Sequence, residues 1–430
     1  MAGSALAETK SLHVPAAYGE PPDGWTWSRL DDVSEGVFDC PHSTPKLTDT
    51  GPFVVRTQDI ITGVFRTDQA GRVSEEIYAE RIARVTPSRG DLLYSREGTY
   101  FGIAAEVPPK TRVCLGQRMV LIRPDKRRLD FSFLCHWLNS PIMAAHIHGY
   151  RDGTVAERLN LPTIRALPIL IPPLAEQKAI ASILGALDDK IELNRRMNAT
   201  LEGMARALFQ SWFVDFDPVR AKLDGRKPEG LDKATAALFT DAFEESSLGP
   251  VPKGWELGRL DDALTLQRGF DLPTPDRTHG KYPVMAASGP NGCHDKFMVR
   301  GPGVTTGRSG VLGRVFFIHG DFWPLNTSLW VKEFKRVSPA YAFHLLRGLD
   351  FEIFNSGSAV PTLNRNHVHN LPVVMPPKII VEAFDDQVTP LMKRQTANED
   401  ESRTLATLRD TLLPKLLSGE LSVASSKVKA

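Results

Sequence analysis

The sequence predicts an α+β protein in which one unit is written twice. Two tandem mixed α/β modules are separated by a pair of long helices forming an antiparallel coiled coil, with a pseudo-two-fold internal repeat. Three observations predict it. "GWTWSRLDD" at 24–32 returns as "GWELGRLDD" at 254–262, six of nine letters shared. An apolar seam of coiled-coil spacing occurs twice, 204 residues apart. Short β-like runs divided by Gly and Pro precede each seam.

The repeat keeps its order downstream. Trp25 answers Trp255 at an offset of 230, and Arg96-x-Gly98 in "SREGTYFG" answers Arg308-x-Gly310 in "GRSGVLG" at 212. "RLNLPTIRALPILIPP" (158–173) answers "TLNRNHVHNLPVVMPP" (362–377), setting Asn160 against Asn364 at 204. Ordered landmarks with a shrinking offset describe a duplicated domain whose second copy has lost loop residues. Runs such as "PFVVRT", "RMVLIRP", "RVFFIHG" and "SLWVKE" read as strands of a twisted sheet in each copy.

Ile180, Leu184, Leu187, Ile191, Asn194, Asn198, Leu201, Ala205 and Leu208 step by alternating four and three residues. Adding 204 gives Phe384, Val388, Leu391, Gln395, Asn398, Ser402, Leu405, Arg409 and Leu412. A one-residue slip would rotate an apolar stripe by about 100°, so an unbroken offset means that seam geometry matters. The polar members weaken a seam but fix its partner and register. Pro390 disfavours a helix interior, whereas Thr389 as N-cap with proline at the first helical position is favourable. The second long helix is therefore expected from near Thr389 to near Pro414, about 24 residues or roughly 36 Å, with Gly185 marking the equivalent break in the first. The stripes would also suit two independent amphipathic helices, each folded onto its own module.

These signals divide the 430 residues into a tail (1–20), a first module (21–173), a helical region (174–214), a connector (215–250), a second module (251–377), a second helical region (378–420) and a disordered tail (421–430). The longest apolar stretch, "ALPILIPPLA" at 166–175, is too short for a bilayer, and the start lacks a secretory pattern, so a cytoplasmic protein is expected. Cys40, Cys114, Cys135 and Cys293 are scattered. The pairs Cys40–His42, Cys293–His294 and His146–His148 fall short of the about four convergent ligands a metal site needs, and none is expected. The formal charge of +1 hides two basic regions. Arg81–Arg128 carries eleven Lys/Arg against four acids, and Lys281–Arg336 eight against three. They read as surfaces for a polyanion or as solvated charged faces. Two unlike basic modules held apart by a stiff spacer suit duplex DNA, where half-sites on one face recur every 34–36 Å or so.

"PPLAEQKAIASILGALDDKIELNRRMNATLEGMARALFQSWFVDFDPVRAK" (172–222), the "LPVVMPP" exit, "DFWPLNTSLWV" (321–331) and "LRDTLLPKLLSGEL" (408–421) together resemble the specificity subunit of type I restriction-modification systems, over nearly all of 21–421. That resemblance implies two target-recognition domains joined by an antiparallel coiled coil and reading a bipartite sequence in double-stranded DNA. It also implies assembly with two methyltransferase subunits and with restriction-translocase subunits that use ATP, and no catalytic residue in this chain. The sequence carries no amino-methyltransferase motif, Gly-rich cofactor loop or Walker A pattern. No cofactor is therefore expected here; S-adenosylmethionine, ATP and Mg would belong to the partners. A self-sufficient DNA-cutting or modifying enzyme and a coiled-coil scaffold without a DNA role are the alternatives.

Arg96 and Arg308, in equivalent loops beside glycine, are candidate DNA contacts, as a guanidinium can clamp phosphate or fork onto guanine. Gln58, Gln117, Arg118, Arg151, Asn326, Asn364 and Arg365 are further candidates. Positions shared by both copies, such as Asn160/Asn364, suit structural or backbone contacts, because specificity must differ between copies. Trp25 and Trp255 suit core anchors. Trp212, Phe213 and Phe216 in "SWFVDFDP" either close a module junction or dock the methyltransferase.

Overall fold

The structure, a computed structural model, describes residues 14, 20–98, 101–148, 158–351 and 362–423. Most of the expected N-terminal tail, the last seven residues and Arg151 lie outside them. The chain divides into two compact units, residues 1–193 with 400–430, and residues 194–399.

In the first unit the strands are β1 (Thr26–Arg29), β2 (Ser34–Asp39), β3 (Thr48–Val55), β4 (Leu92–Ser95), β5 (Ala104–Glu106), β6 (Val113–Leu115) and β7 (Met119–Pro124). Helix α1 (Phe131–Leu138), strand β8 (Pro168–Ile171) and the long helix α2 (Leu174–Phe213) follow. The four-stranded sheet runs β2-β7-β4-β5, β3 pairs parallel with β6, and β1 pairs antiparallel with β8.

The second unit repeats this plan. Its strands are β9 (Glu256–Arg259), β10 (Leu264–Arg268), β11 (Tyr282–Ala286), β12 (Gly303–Gly307), β13 (Val315–Ile318), β14 (Trp323–Pro324) and β15 (Ser328–Phe334). They are followed by α3 (Pro339–Arg347), β16 (Pro372–Met375) and α4 (Lys378–Leu417). The sheet runs β10-β15-β12-β13, β11 pairs parallel with β14, and β9 pairs antiparallel with β16. Each of these eight strands has its counterpart eight labels later; short strands at Ile60–Ile61, Val64–Phe65 and Gly71–Arg72 are added in the first unit, and at Phe243–Glu244, Val251–Pro252 and Gly289–His294 in the second.

The β7 run "MVLIRP" reads as continuously apolar because its sheet is buried on both faces. Val120 and Ile122 pack with Leu92, Tyr94, Leu134 and Trp137 of the same module and with Ile180, Leu184, Leu413 and Leu416 of the long helices. Met119 and Leu121 face the other way, onto Val55, Val113 and Leu115 of the parallel pair. Likewise Leu266, Val304, Leu329 and Val331 pack on Tyr341, Leu346, Phe209, Trp212 and Phe384, while Met285, Ile318 and Phe322 fill the opposite face. Trp25 and Trp255 are buried in these cores.

Within each unit the long helices pair antiparallel. In the first, Arg409 meets Asp188 at 2.7 Å and Lys190 meets Glu401 at 3.2 Å. In the second, Asn198 Nδ2 donates to Gln395 O at 3.1 Å and Gln395 Nε2 to Asn198 O at 3.0 Å. Asn398 Nδ2 donates to Asn198 Oδ1 at 2.8 Å, and Asn194 Nδ2 to Asn398 O at 3.4 Å. The seam positions Ile180, Leu184, Leu187, Ile191, Asn194, Asn198, Leu201, Leu208, Leu391, Gln395, Asn398, Ser402, Leu405 and Leu412 are all buried or half-buried. The two helices are thus paired with one another as well as packed on the modules, rather than independent.

Several expectations are corrected. α4 does not begin at Thr389: it runs unbroken for 40 residues through Pro390 and ends at Leu417, beyond Pro414. α2 also has 40 residues and passes through Gly185. Pro390 is tolerated because it and Asp386, whose carbonyl loses its partner, lie on the exposed side, while Phe384, Val388 and Met392 hold the buried side. Forty residues make each helix about 60 Å long, so the match to one DNA turn, drawn from a shorter helix, does not follow. The helical regions are not separate domains either, since each helix contributes its halves to different units. The connector is folded, with helices at Asp217–Leu223 and Lys233–Ala237 and with Val219, Phe239 and Val251 buried.

Trp212, Phe213 and Phe216 are not a docking patch. They are 1%, 7% and 8% exposed, inside the core of the second unit. Trp212 lies edge-on to Phe239 at 5.1 Å, Phe213 to Phe384 at 5.2 Å and Phe216 to Trp255 at 5.5 Å. His344 joins them, stacked on Phe209 at 5.5 Å, and burial pushes its imidazole down to about 4, so at neutral pH it packs as an uncharged ring. Trp212→Ala should therefore cost about 3–5 kcal/mol of stability, measured by urea unfolding; loss of partner binding with unchanged stability would instead place Trp212 at a surface.

Candidate nucleic-acid interface

In each module three loops converge at one end of the parallel strand pair. In the first they are the loop after β2 (40–44), the loop after β4 (96–98) and the β6–β7 turn (116–118). In the second they are the loops 269–273 and 308–310 and the β14–β15 turn (325–327). The backbone bonds fixing them are duplicated. Gly116 N–H donates to Val55 O at 2.7 Å, as Leu325 N–H does to Met285 O at 2.8 Å. Arg96 N–H donates to Arg118 O at 3.1 Å, as Arg308 N–H does to Thr327 O at 2.9 Å. Arg96 O and Arg308 O accept from Leu159 and Leu363 respectively, both at 2.8 Å. Gly98 and Gly310 have φ of +89° and +86°, which explains the repeated Arg-x-Gly: the loop turns through a left-handed residue that a side chain would strain.

The side chains on this frame have different fates. Arg96 is 5% exposed and ion-paired through Nη1 with Asp39 Oδ1 at 3.1 Å. It is a strut beneath the loop, not a surface clamp, because its charge is already spent on the half-buried Asp39 carboxylate. Arg308 is half-buried, its Nη1 donating to Asn326 O at 3.4 Å. Gln117 is exposed, its Nε2 donating to His42 O at 3.4 Å and its Oε1 accepting from Thr44 Oγ1 at 3.2 Å. Arg118 is exposed, 3.5 Å from Glu97, and has a φ of +71°. Asn326 is half-exposed, and its Nδ2 donates to Asp271.

The other candidates form no hydrogen bond to the tips among the described residues or serve the fold. Gln58 is exposed on the turn 57–59, just beyond Val55 at the end of β3, whose carbonyl holds Gly116, but forms no hydrogen bond to the tip among the described residues. Asn364 caps the short helix Arg365–His369 by accepting from Asn366 N–H at 3.0 Å, as Asn160 caps Leu161–Arg165 by accepting from Thr163 N–H at 2.8 Å. Arg365 is exposed at that helix's first position. Sequence reasoning missed Asp39, His42, Thr44, Glu97 and Asp271. Extending the repeat into "GQRM" and "LNTS" would have aligned Gln117 with Asn326 and pointed to the flanking loops, but only the apolar alternation survives there.

The basic regions are partly neutralised. Arg96, Arg112, Arg118, Arg123 and Arg127 pair with Asp39, Glu75, Glu97, Asp91 and Asp125, and Arg81 is buried against Leu115 O. Lys335 and Arg336 pair with Asp261 and Glu256. The exposed Lys281, Lys296, Arg300, Arg314 and Lys332 form no ion pair among the described residues. Asp39, Cys40 and His42 each offer a ligand atom within 4.8 Å of the others, but the Asp39 carboxylate is already held by Arg96.

Each unit thus carries a matched loop tip on a module packed against its own stretch of the two long helices. Residues 22–203 match the family model described as the type I restriction modification DNA specificity domain. The chain is 24% identical to the type I restriction enzyme MjaIX specificity subunit of Methanocaldococcus jannaschii, over 94% of this chain and 95% of that one. It is 25% identical to the HindI specificity subunit of Haemophilus influenzae, over 92% and 99%. The fold matches the crystal structure of a type I restriction-modification system S subunit from M. genitalium with a TM-score of 0.60 and 16% identity, covering 91% of this chain and 96% of that one. Over nearly its whole length the chain is thus similar to type I restriction-modification specificity subunits, and its residues 22–203 match that family's DNA specificity domain. No helix among the described residues is long and apolar enough to cross a membrane.

If Arg96 is a strut, removing one partner strands a charge in the interior. Arg96→Ala or Asp39→Ala should each cost about 3–5 kcal/mol, and the double variant should lose less than their sum in thermal unfolding. Strict additivity would contradict the strut.

Proposed function

We propose that this chain is the DNA-recognition subunit of a type I restriction-modification complex, each module reading one half of an asymmetric bipartite site in double-stranded DNA. The observation that carries this reading is the duplicated frame: equivalent loops, held by equivalent backbone bonds, present different side chains. A repeated fold with unrepeated tips suits two unlike half-sites. The exposed Lys281, Lys296, Arg300, Arg314 and Lys332 of the second module suit the phosphate contacts that position a duplex.

In this reading the paired helices set the unread gap, and the subunit docks two methyltransferase subunits, with restriction-translocase subunits joining them. Methyl transfer and ATP-driven cleavage belong to those partners, together with S-adenosylmethionine, ATP and Mg. This chain supplies binding and position rather than catalysis.

Inserting one heptad into each long helix, beside Asn194 and Asn398, keeps the seam in phase and adds about 10.5 Å. Mapping methylated adenines should show both half-sites unchanged and the gap longer by about three base pairs, at about 3.4 Å per pair. Altered half-site sequences with an unchanged gap would contradict the division of labour between helices and modules.

A further inference from the structure

The β6–β7 and β14–β15 turns are pinned alike and decorated differently. Residues 116–118 are fastened at one end to Val55 O and at the other by Arg96 N–H; residues 325–327 are fastened to Met285 O and by Arg308 N–H. Between these ties the first turn carries Gln117 and Arg118, the second Asn326 and Thr327. Thr327 is part of the frame, its Oγ1 accepting from Ala287 N–H at 3.3 Å. That leaves an amide and a guanidinium on the first tip, and on the second an amide beside the Asp271 carboxylate.

Two further observations mark the first tip as purpose-built. Arg118 holds a φ of +71°, a left-handed backbone conformation that costs a non-glycine residue about 1–2 kcal/mol, and its side chain is still 52% exposed. The backbone at Arg118 serves the tie to Arg96 N–H, while its side chain, 3.5 Å from Glu97, is left on the surface of the tip. Gln117 is exposed yet held at both ends of its amide, by His42 O and Thr44 Oγ1, which fixes its orientation before any ligand arrives.

We propose that these turns are the base-reading elements: Gln117 and Arg118 read one half-site, and Asn326 with Asp271 reads the other. The chemistry of each group sets what it reads in the major groove. A guanidinium forks onto guanine O6 and N7, glutamine or asparagine pairs with adenine N6 and N7, and a carboxylate accepts from cytosine N4, each contact discriminating roughly ten- to a hundredfold. Arg96 and Arg308 are positioning residues, acting through the loops they tie. This inference rests on the proposed DNA-recognition function.

The test uses the full complex of this chain with its methyltransferase subunits. Arg118→Gly suits it because glycine accepts a φ of +71°, so the variant is expected to fold at least as well as the parent. Competition binding is run with duplexes carrying the parent's mapped motif and single-base changes in each half. Arg118→Gly should lose tenfold or more discrimination at one or two base pairs of one half-site and none in the other. Asn326→Ala should do the converse, and Gln117→Asn with Arg118→Asn, a residue that tolerates a positive φ, should change which bases the first half-site prefers. Discrimination unchanged in both halves, or a uniform loss of affinity with a shallower salt dependence, would overturn the proposal and make Arg118 a phosphate contact. A parent that maps no split motif would overturn the function on which the proposal rests, and the proposal with it.

Discussion

Everything else in each unit depends on the burial of one sheet face, through one short helix, against the paired long helices. In the first unit Val120 and Ile122 reach Ile180, Leu184, Leu413 and Leu416 through Leu134 and Trp137. In the second Leu329 and Val331 reach Phe209, Trp212 and Phe384 through Tyr341 and Leu346. That contact fixes the sheet on the helices. The sheet's other face then fixes the parallel strand pair, and the strand pair fixes the tip. A recognition loop can vary only if nothing in the fold needs its side chains, and this order of dependence leaves the tip last.

The polar ties show the duplication diverging where it is free to do so. In the first unit the fully buried Gln177 accepts from Asp130 N–H at 2.8 Å and donates to Arg128 O at 2.9 Å and Pro172 O at 2.8 Å, locking α1 to α2. The residue 204 positions later is Val381, a buried apolar side chain. The second unit locks α3 to α4 instead through Ser338 Oγ, which donates to Asp385 Oδ1 at 2.6 Å. Both ties hold the N-terminus of the same helix, with unrelated chemistry. A buried polar group is costly only if left unpaired, so either solution serves once its partners are in place.

The fold was largely legible because its strongest signals are periodic or repeated. The 204-residue offset between seams survives since a slip would turn Leu184 or Val388 out of its core. Helix ends were less legible: Pro390 looked like a start because local preference forbids it mid-helix, yet a tertiary core on the opposite side outweighs one lost hydrogen bond. The site was legible only in part. Gln117, Arg118 and Asn326 were picked as polar loop residues, but a sequence does not show that Arg96 is turned inward onto Asp39, 57 positions away. Nor does it separate Trp212 as core from Trp212 as surface, since an aromatic cluster suits both.

The most direct test of the account is a single-molecule map of methylated adenines in DNA from cells carrying this chain with its methyltransferase, against cells lacking only this chain. The account predicts a new motif that appears with the chain, split by an unread gap and with different sequences on its two sides. A motif that persists without the chain, or one that is contiguous or identical on both sides, would contradict it.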